Sequence, residues 1–560
     1  MNLSRTRASR RSVLKSAGGL GAMAMAPGLL LPSSAAAQSG TPVAGGTLTY
    51  GNAKPAQNII NPMNTIGTGQ NVLIEALYLR LVYGRQWGDG INPQESGDIE
   101  LGVAETMTEI TPNQVWEFTL RENCLWHDGQ PVTADDLIFG VWVSNNKDTG
   151  SSSETPTSWL KGAQALRENG GTEVAVEGIT KLGDYAVRIE LERPIANYWV
   201  NWSVGYWPLP KHIYGDKPLD ELFTGEYATL PIGNGPFKAV NYVDGQYMEM
   251  EANADFCLGK PLLDKFIVRF GDSDTLTAAL EAGEIDGCGV GAGPIYDRLT
   301  SLDHLVGNAV GRDHPDGFVV NYERFPDQAA GLNKALMQAL DIETLNAQLY
   351  SGTLRPSNYL FQHVVGLETP PEGFPTYTYD PEQAQATLAE IGWDSNTELN
   401  WLVTGTPTTA QDAIQAMLGQ AGIKVKYQQI DPATVIDELY RNANYDIFFG
   451  NFGPSQDMND NWKYIKSGWG YDEGGYNYAR YANAEVDELW QQGLDELDTD
   501  KQKEIWDQVS MLLAETPPQA TMYRSSVCYV WNKRVQGAYP YQYRLPVRPV
   551  FEKVWIDPDA

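Results

Sequence analysis

Leu399-Asn400-Trp401-Leu402-Val403-Thr404, Ile423-Lys424-Val425-Lys426-Tyr427-Gln428 and Tyr445-Asp446-Ile447-Phe448-Phe449 read as three β-strands, short runs rich in β-branched and aromatic residues. Thr409–Gln420, between the first two, reads as a helix. Between the second and third, Asp431-Pro432 places an N-cap before a proline at the first helical position and opens a helix through about Arg441. Such a β-α-β-α-β run implies an α/β fold, a parallel sheet with covering helices. Ligands of parallel sheets sit at the loops beyond the carboxyl ends of the strands. Here those loops start at Gly405 and Gly450. The stretch Asn451–Gly475 is rich in Gly, Asn, Asp, Ser and aromatics. It is long for a plain connection, which makes it the candidate binding loop.

The same alternation extends upstream. Asp380-Pro381 with Gln383 opens a helix that Gly392 ends, and Leu336, Ala339, Leu340 and Leu345 form the apolar stripe of one helix over Asn333–Tyr350. In the first half, Thr47–Tyr50, Val115–Leu120, Tyr185–Leu191, Tyr247–Glu251 and Lys265–Phe270 read as strands, the second by its period-two alternation. His127-Asp128-Gly129 marks a turn. Thr133 with Asp136 then makes a capping-box-like start for a helix through about Val143. Thr275–Ala282 reads as a short helix closed by Gly283. Gly287–Gly293 lacks the Lys-Ser/Thr of a phosphate loop and reads as a loop after a strand.

At 560 residues the chain is too long for one compact core, so two or more domains are expected. A net charge of −31 argues against nucleic acid and against an anionic membrane surface, both of which need clustered Lys and Arg. Outside the N-terminus there is no run of 18 apolar residues that would suggest a membrane span. Residues 1–37 carry Arg5, Arg7, Arg10, Arg11 and Lys15, no acid, an apolar stretch Ala17–Leu31 and the small residues Ala35-Ala36-Ala37. That order fits a cleaved export signal, and Ser9-Arg10-Arg11-Ser12-Val13-Leu14-Lys15 resembles a twin-arginine signal. No Cys lies near the cleavage site, so a lipid anchor is not indicated. The expected mature protein starts near Gln38 and is a free, acidic, periplasmic protein.

Cys124, Cys257, Cys288 and Cys528 show no metal-type spacing. Export in a folded state favours free buried thiols; Cys257 with Cys288 is the one pairing entertained. His127, His212, His304, His314 and His363 are too dispersed for a metal cluster. Trp126, His127 and Asp128 read as a structural turn. No cofactor and no metal are expected.

Leu101-Gly102-Val103-Ala104-Glu105-Thr106, then Trp116–Arg121, then Trp126-His127-Asp128-Gly129-Gln130-Pro131-Val132-Thr133-Ala134-Asp135-Asp136 resemble the family 5 extracellular solute-binding proteins, the dipeptide, oligopeptide and nickel binding proteins of ABC importers. Gly233-Asn234-Gly235-Pro236-Phe237-Lys238, Leu280-Glu281-Ala282-Gly283-Glu284-Ile285-Asp286-Gly287, Tyr379–Ala384 and Val486–Leu489 agree in order. The resemblance implies a two-lobed periplasmic-binding-protein fold of type II, hinged around a central cleft. It divides the chain into a signal (1–37), a large lobe (38–318, with a subdomain over about 92–225), a small lobe (319–522) and a return to the large lobe (523–560). The crossovers are expected near Gly317–Tyr322 and Gln519–Tyr523. It also implies a monomer without enzymatic activity that passes a small ligand to ABC permease subunits.

Departures from the family bear on the ligand. Asn333 stands where relatives often carry an Arg, and Phe452-Gly453-Pro454-Ser455-Gln456-Asp457 stands where peptide binders place an Asp after an aromatic. Asp457 serves as the ammonium anchor of a peptide in this reading, although Ser455 competes for the matching position. Arg355 is the candidate partner for the carboxylate. Phe452, Trp469 and Tyr471 are candidate stacking faces, Asp460 a second acid, and Thr404, Thr406 and Asn52 strand-end hydrogen-bonding residues. A short peptide or amino-acid-derived compound is the first ligand class. An oligosaccharide is the second, suited by 16 Trp and 29 Tyr. The rival from another class is an exported glycoside hydrolase, because acid pairs abound; no Gly-x-Ser-x-Gly or His-Glu-x-x-His motif occurs.

Overall fold

The computed structural model describes residues 41–55, 59–63, 70–84, 99–151, 156–196, 198, 205–311, 315–362, 364, 366–451, 457–472, 475–538 and 551–560. The strand Thr47–Asn52 buries alternate residues and lies in the middle of a seven-stranded sheet. The order is Leu305–Gly311, Ser526–Asn532, Gly287–Val290, Thr47–Asn52, Lys265–Phe270, Tyr247–Ala252, Phe237–Val243. Thr47–Asn52 runs parallel to both of its neighbours. Asp286, almost fully buried, accepts from the Thr49 amide at 2.8 Å and from Arg534 Nε at 2.7 Å, which ties both ends of the chain to this sheet.

A second, antiparallel sheet holds Ala104–Thr111, Val115–Leu120, Ala186–Glu190 and Ile179–Gly183. The helix Ala134–Asn145 packs on it, opened by Asp136 Oδ2 accepting from the Thr133 amide at 2.8 Å. One apolar core runs through both sheets, from Leu48 and Phe266 to Trp116, Phe118 and Trp142. The Trp126-His127-Asp128 turn joins them. His127 Nδ1 accepts from the Gly233 amide at 3.1 Å, so the Nε2 proton faces the Gly235 carbonyl at 3.2 Å. Gly233 itself admits no side chain, since a Cβ there would sit 1.9 Å from the Leu77 carbonyl oxygen.

That turn makes a pH prediction. Enclosure of the His127 ring pushes its pKa down to about 3; Lys238 adds to the shift, and the Gly235 carbonyl and Asp128 oppose it. The folded state keeps the ring neutral where the unfolded chain, titrating near 6.5, takes up a proton. The stabilisation is therefore complete above pH 6.5 and is lost as pH falls through that value towards 3, at most about 1.4 kcal/mol per pH unit for one proton. His127→Phe is expected to melt lower at neutral pH, because two backbone groups lose their partner, but to lose less between pH 6.5 and 4. Melting curves with the same pH slope in both proteins would remove His127 from the acid response.

The third sheet has six strands in the order Arg355–Pro356, Ala520–Arg524, Asp316–Val320, Ile447–Asn451, Glu398–Thr404, Lys424–Ile430. Glu398–Thr404 is parallel to Lys424–Ile430 and to Ile447–Asn451, as the β-α-β-α-β pattern requires. Alternation sorts its side chains onto two cores. Phe318, Val320, Trp401 and Val403 pack under the helices Ala329–Ala339, Pro381–Glu390 and Thr409–Gln420. Val319 and Leu402 face Met458–Ile465, Ala484–Asp495 and Thr499–Glu515.

The chain passes twice between the seven- and six-stranded sheets, side by side. Leu305–Gly311 pairs with Ser526–Asn532 on one side, and Asp316–Val320 with Ala520–Arg524 on the other. The Ser525 amide donates to Asp316 Oδ2 at 3.2 Å between them. Gly317–Tyr322 and Gln519–Tyr523 thus lie largely within strands of the six-stranded sheet.

Several expectations are corrected. The helix over Asn333–Tyr350 is two helices, Ala329–Ala339 and Ile342–Leu349, because the Asp341 side chain accepts from the Thr344 amide at 2.9 Å and caps a new start. Asp431-Pro432 opens a 3-10 turn, Pro432–Thr434, followed by the wide π turn Ile436–Arg441 rather than an α-helix. Gly287–Val290 is a strand, not a loop; Gly287 is needed because a Cβ would meet the Trp531 ring at 2.3 Å. The bridge is Cys124–Cys257, not Cys257–Cys288. Cys124 follows the Val115–Leu120 strand and meets Cys257 where the shared core brings them together. Cys288 instead points with Cys528 into the apolar cluster on the far edge of the seven-stranded sheet.

Candidate functional site

Thr404, Gly405 and Thr406 lie at the carboxyl end of the strand Glu398–Thr404, and Asp431 follows the carboxyl end of its parallel neighbour Lys424–Ile430. Gly405 takes φ +69°, a left-handed conformation that suits glycine, and its amide donates to the Ile430 carbonyl at 3.1 Å. Thr404 and Thr406 are exposed at this turn. Neither caps the next helix, since Thr408 does: the Gln411 amide donates to Thr408 Oγ1 at 3.3 Å. Phe452 and Ser455 lie outside the described residues.

Asp457 is buried, with 6% of its surface exposed. It caps the helix Met458–Ile465, its Oδ1 accepting from the Asn459 amide at 3.0 Å and from Asn459 Nδ2 at 2.9 Å. It also faces the other half of the molecule. The Tyr198 phenol, from the segment beyond the four-stranded sheet, titrates well above the usual tyrosine range, first because it is buried, then because of Tyr206 and the Asp457 charge. Tyr198 and Tyr206 join their hydroxyls at 2.9 Å, and Trp116 stacks on Tyr198 at 5.9 Å. Asp460, by contrast, pairs with Lys463 at 2.8 Å one turn along its own helix.

The other candidates are distributed around this point. Trp469 is half-buried, with Lys466 Nζ 4.3 Å from its ring centroid. Tyr471 sits 5.8 Å from Tyr440 and 6.0 Å from Tyr476, under the Arg441 guanidinium at 5.2 Å. Both rings thus already face cations of this chain. Arg355 is exposed on the two-residue edge strand opposite Arg524, and makes no side-chain hydrogen bond or ion pair among the described residues. Asn52 ends the central strand of the seven-stranded sheet and is half-buried; its carbonyl accepts from the Gly271 amide at 3.2 Å. Asn333 is fully buried and donates to the Pro517 carbonyl at 2.7 Å, a packing role. Among the described residues no group of three or more His, Cys, Asp or Glu could hold a metal ion.

One residue beside the site escaped the sequence reading. Arg193 reaches from the end of the four-stranded sheet to the Leu494 carbonyl at 3.0 Å and to Asn459 Oδ1 at 3.5 Å. No local pattern marks it, because its partners lie hundreds of residues away.

Residues 98–475 match the profile of the bacterial extracellular solute-binding proteins, family 5 Middle. The chain is 26% identical over 548 residues to the oligopeptide-binding protein AppA of Bacillus subtilis (strain 168), covering 94% of each. It is 24% identical to the probable D,D-dipeptide-binding periplasmic protein DdpA of Escherichia coli (strain K12), covering 88% of this chain and 90% of that protein. The same fold appears in the structure of AppA from Bacillus subtilis in complex with a nonapeptide, at a TM-score of 0.71 and 23% identity, over 92% of this chain and all of that one. NikZ from Campylobacter jejuni in complex with Ni(L-His) matches at a TM-score of 0.71 and 20% identity, over 91% of this chain and 99% of that one.

Proposed function

The chain belongs to the bacterial extracellular solute-binding proteins of family 5, and from that premise we propose that it captures a short peptide and hands it to the permease of an ABC importer. The family is one of binding proteins rather than enzymes, which removes the exported glycosidase. The observation that supports the peptide reading is Asp457, a buried carboxylate that caps Met458–Ile465 and whose charge acts on the Tyr198 phenol of the other half of the molecule. A desolvated ammonium needs such a partner. Arg355, which makes no side-chain hydrogen bond or ion pair among the described residues, serves the carboxylate end. The aromatic faces that an oligosaccharide would use are less open, since Trp469 and Tyr471 already stack with Lys466 and Arg441.

In this reading the lobes are the body built on the seven- and four-stranded sheets and the body built on the six-stranded sheet, hinged between the strand pair Leu305–Gly311 with Ser526–Asn532 and the pair Asp316–Val320 with Ala520–Arg524. A ligand gripped by both favours the closed form by its differential affinity. The protein works as a monomer. Calorimetry with a pool of hexapeptides, free or N-acetylated, tests the reading. Binding of the free pool and loss on acetylation support it; no binding of either, with a sugar identified by mass spectrometry of the natively purified protein, overturns it.

Delivery outside the membrane needs export, and the Arg10-Arg11 pair before the apolar Ala17–Leu31 supports a twin-arginine signal cleaved near Gln38. Among the described residues no helix is long and apolar enough to cross a membrane. Changing both arginines to lysine is expected to leave the precursor in the cytoplasm, read by fractionation. Undiminished export would refute the twin-arginine assignment.

A further inference from the structure

We propose that Arg193 is a positioning residue for the ligand site: it bridges the two bodies of the fold and, through Asn459, holds the Asp457 side chain in place. The proposal rests on Asp457 as the ammonium anchor. Arg193 stands just beyond the strand Ala186–Glu190, and its neighbours are pinned, the Glu192 amide to the Trp159 carbonyl and the Ile195 amide to the Asn113 carbonyl, both at 2.9 Å. Its guanidinium passes 5.8 Å from the Trp159 ring. From there Nη1 donates to the Leu494 carbonyl at 3.0 Å. That carbonyl lies in the last turn of the helix Ala484–Asp495, where carbonyls lack helical partners and the helix dipole is negative. Asp495 adds its charge at 3.7 Å.

The second arm of the fork makes the link to the site. Nη2 lies 3.5 Å from Asn459 Oδ1, and Asn459 Nδ2 donates to Asp457 Oδ1 at 2.9 Å. One buried amide therefore accepts from the first body and donates to the anchoring carboxylate of the second. A lysine ammonium, a point donor on a flexible stem, does not reproduce a planar fork that serves the helix end and the amide together. The bridge uses none of the strands by which the chain crosses between the bodies. The crossing strands form one edge of the seven-stranded sheet, while the four-stranded sheet joins the body through Gly233-Asn234-Gly235, next to the strand at the other edge. Separating the bodies at this rim strips Asn459 of its cation and loosens the Asp457 carboxylate. The bridge thus couples closure to the grip on the ligand.

Leu182 and Leu497 are exposed, at 46% and 40%, one on each body; Leu182 lies at the hairpin end of the Ala186–Glu190 strand and Leu497 just beyond the helix Ala484–Asp495. Cysteines placed there and spin-labelled report the distance between the bodies by double electron–electron resonance. Arg193→Gln is expected to move the distribution to longer distances, Arg193→Lys to do so partly, and Asn459→Ala combined with Arg193→Gln to add little. With the free hexapeptide pool, Arg193→Gln is expected to raise the dissociation rate about fivefold or more with association little changed. An unchanged distance distribution overturns the proposal, and so does a longer distance with an unchanged dissociation rate. Should the wild-type protein bind no peptide, the peptide reading falls while the distances still decide whether Arg193 bridges the bodies.

Discussion

Asp457→Asn is expected to weaken binding of free-amine peptides by about 2–5 kcal/mol, a loss of roughly 30-fold or more, while the protein folds as before. The two roles of this residue separate in that variant. Asparagine is as good an N-cap as aspartate, so the start of Met458–Ile465 keeps its cap. The charge is gone, and a desolvated ammonium is left without its counterion. Asp457→Ala removes both and is expected to lose the affinity together with about 1 kcal/mol of stability. Calorimetry beside thermal melting distinguishes the outcomes. An Asn variant that binds as tightly as the wild type would leave Asp457 with the cap alone.

Removing the Cys124–Cys257 bridge carries the largest expected cost in stability. The two residues are separated by 133 positions, and the chain-entropy argument puts the closure of such a loop at about 5 kcal/mol, within the usual range of roughly 2–5 for native bridges. The double alanine variant is expected to melt well below the wild type and to be insensitive to reductant, whereas the wild type becomes sensitive. Cys288 and Cys528 do not confuse the reading. Burial pushes their thiols up to about 12 and about 11, so neither supplies a ready thiolate for exchange. A wild-type protein whose melting point ignores reductant would show that the core alone holds these segments.

Much of the framework was legible along the chain because its causes are local. Val115–Leu120 and Lys265–Phe270 are strands over the residues expected of them, and Pro381–Glu390 and Thr409–Gln420 begin at side chains that cap them. Alternation, capping and turn chemistry act between residues a few positions apart, so they survive in a bare string of letters. The parallel arrangement of the Glu398–Thr404, Lys424–Ile430 and Ile447–Asn451 strands followed from the order of such elements, and with it the place of Thr404 and Thr406 at a carboxyl end.

What stayed hidden depends on partners far apart in the chain. Gly287 looked like loop glycine until Trp531, from the other end of the molecule, was laid over it. Asn333 read as a departure from a family arginine and is a buried donor to Pro517, 184 residues on. Cys257 found Cys124 rather than Cys288 because one core joins the seven- and four-stranded sheets, which no spacing of cysteines records. Arg193 carries no motif at all. Its meaning comes from a helix end 301 residues later and from the amide that steadies Asp457. Short-range periodicity dictates which segments become strands and helices; which buried groups meet is decided only when the sheets pack, since that choice depends on the burial and hydrogen bonding of the whole fold.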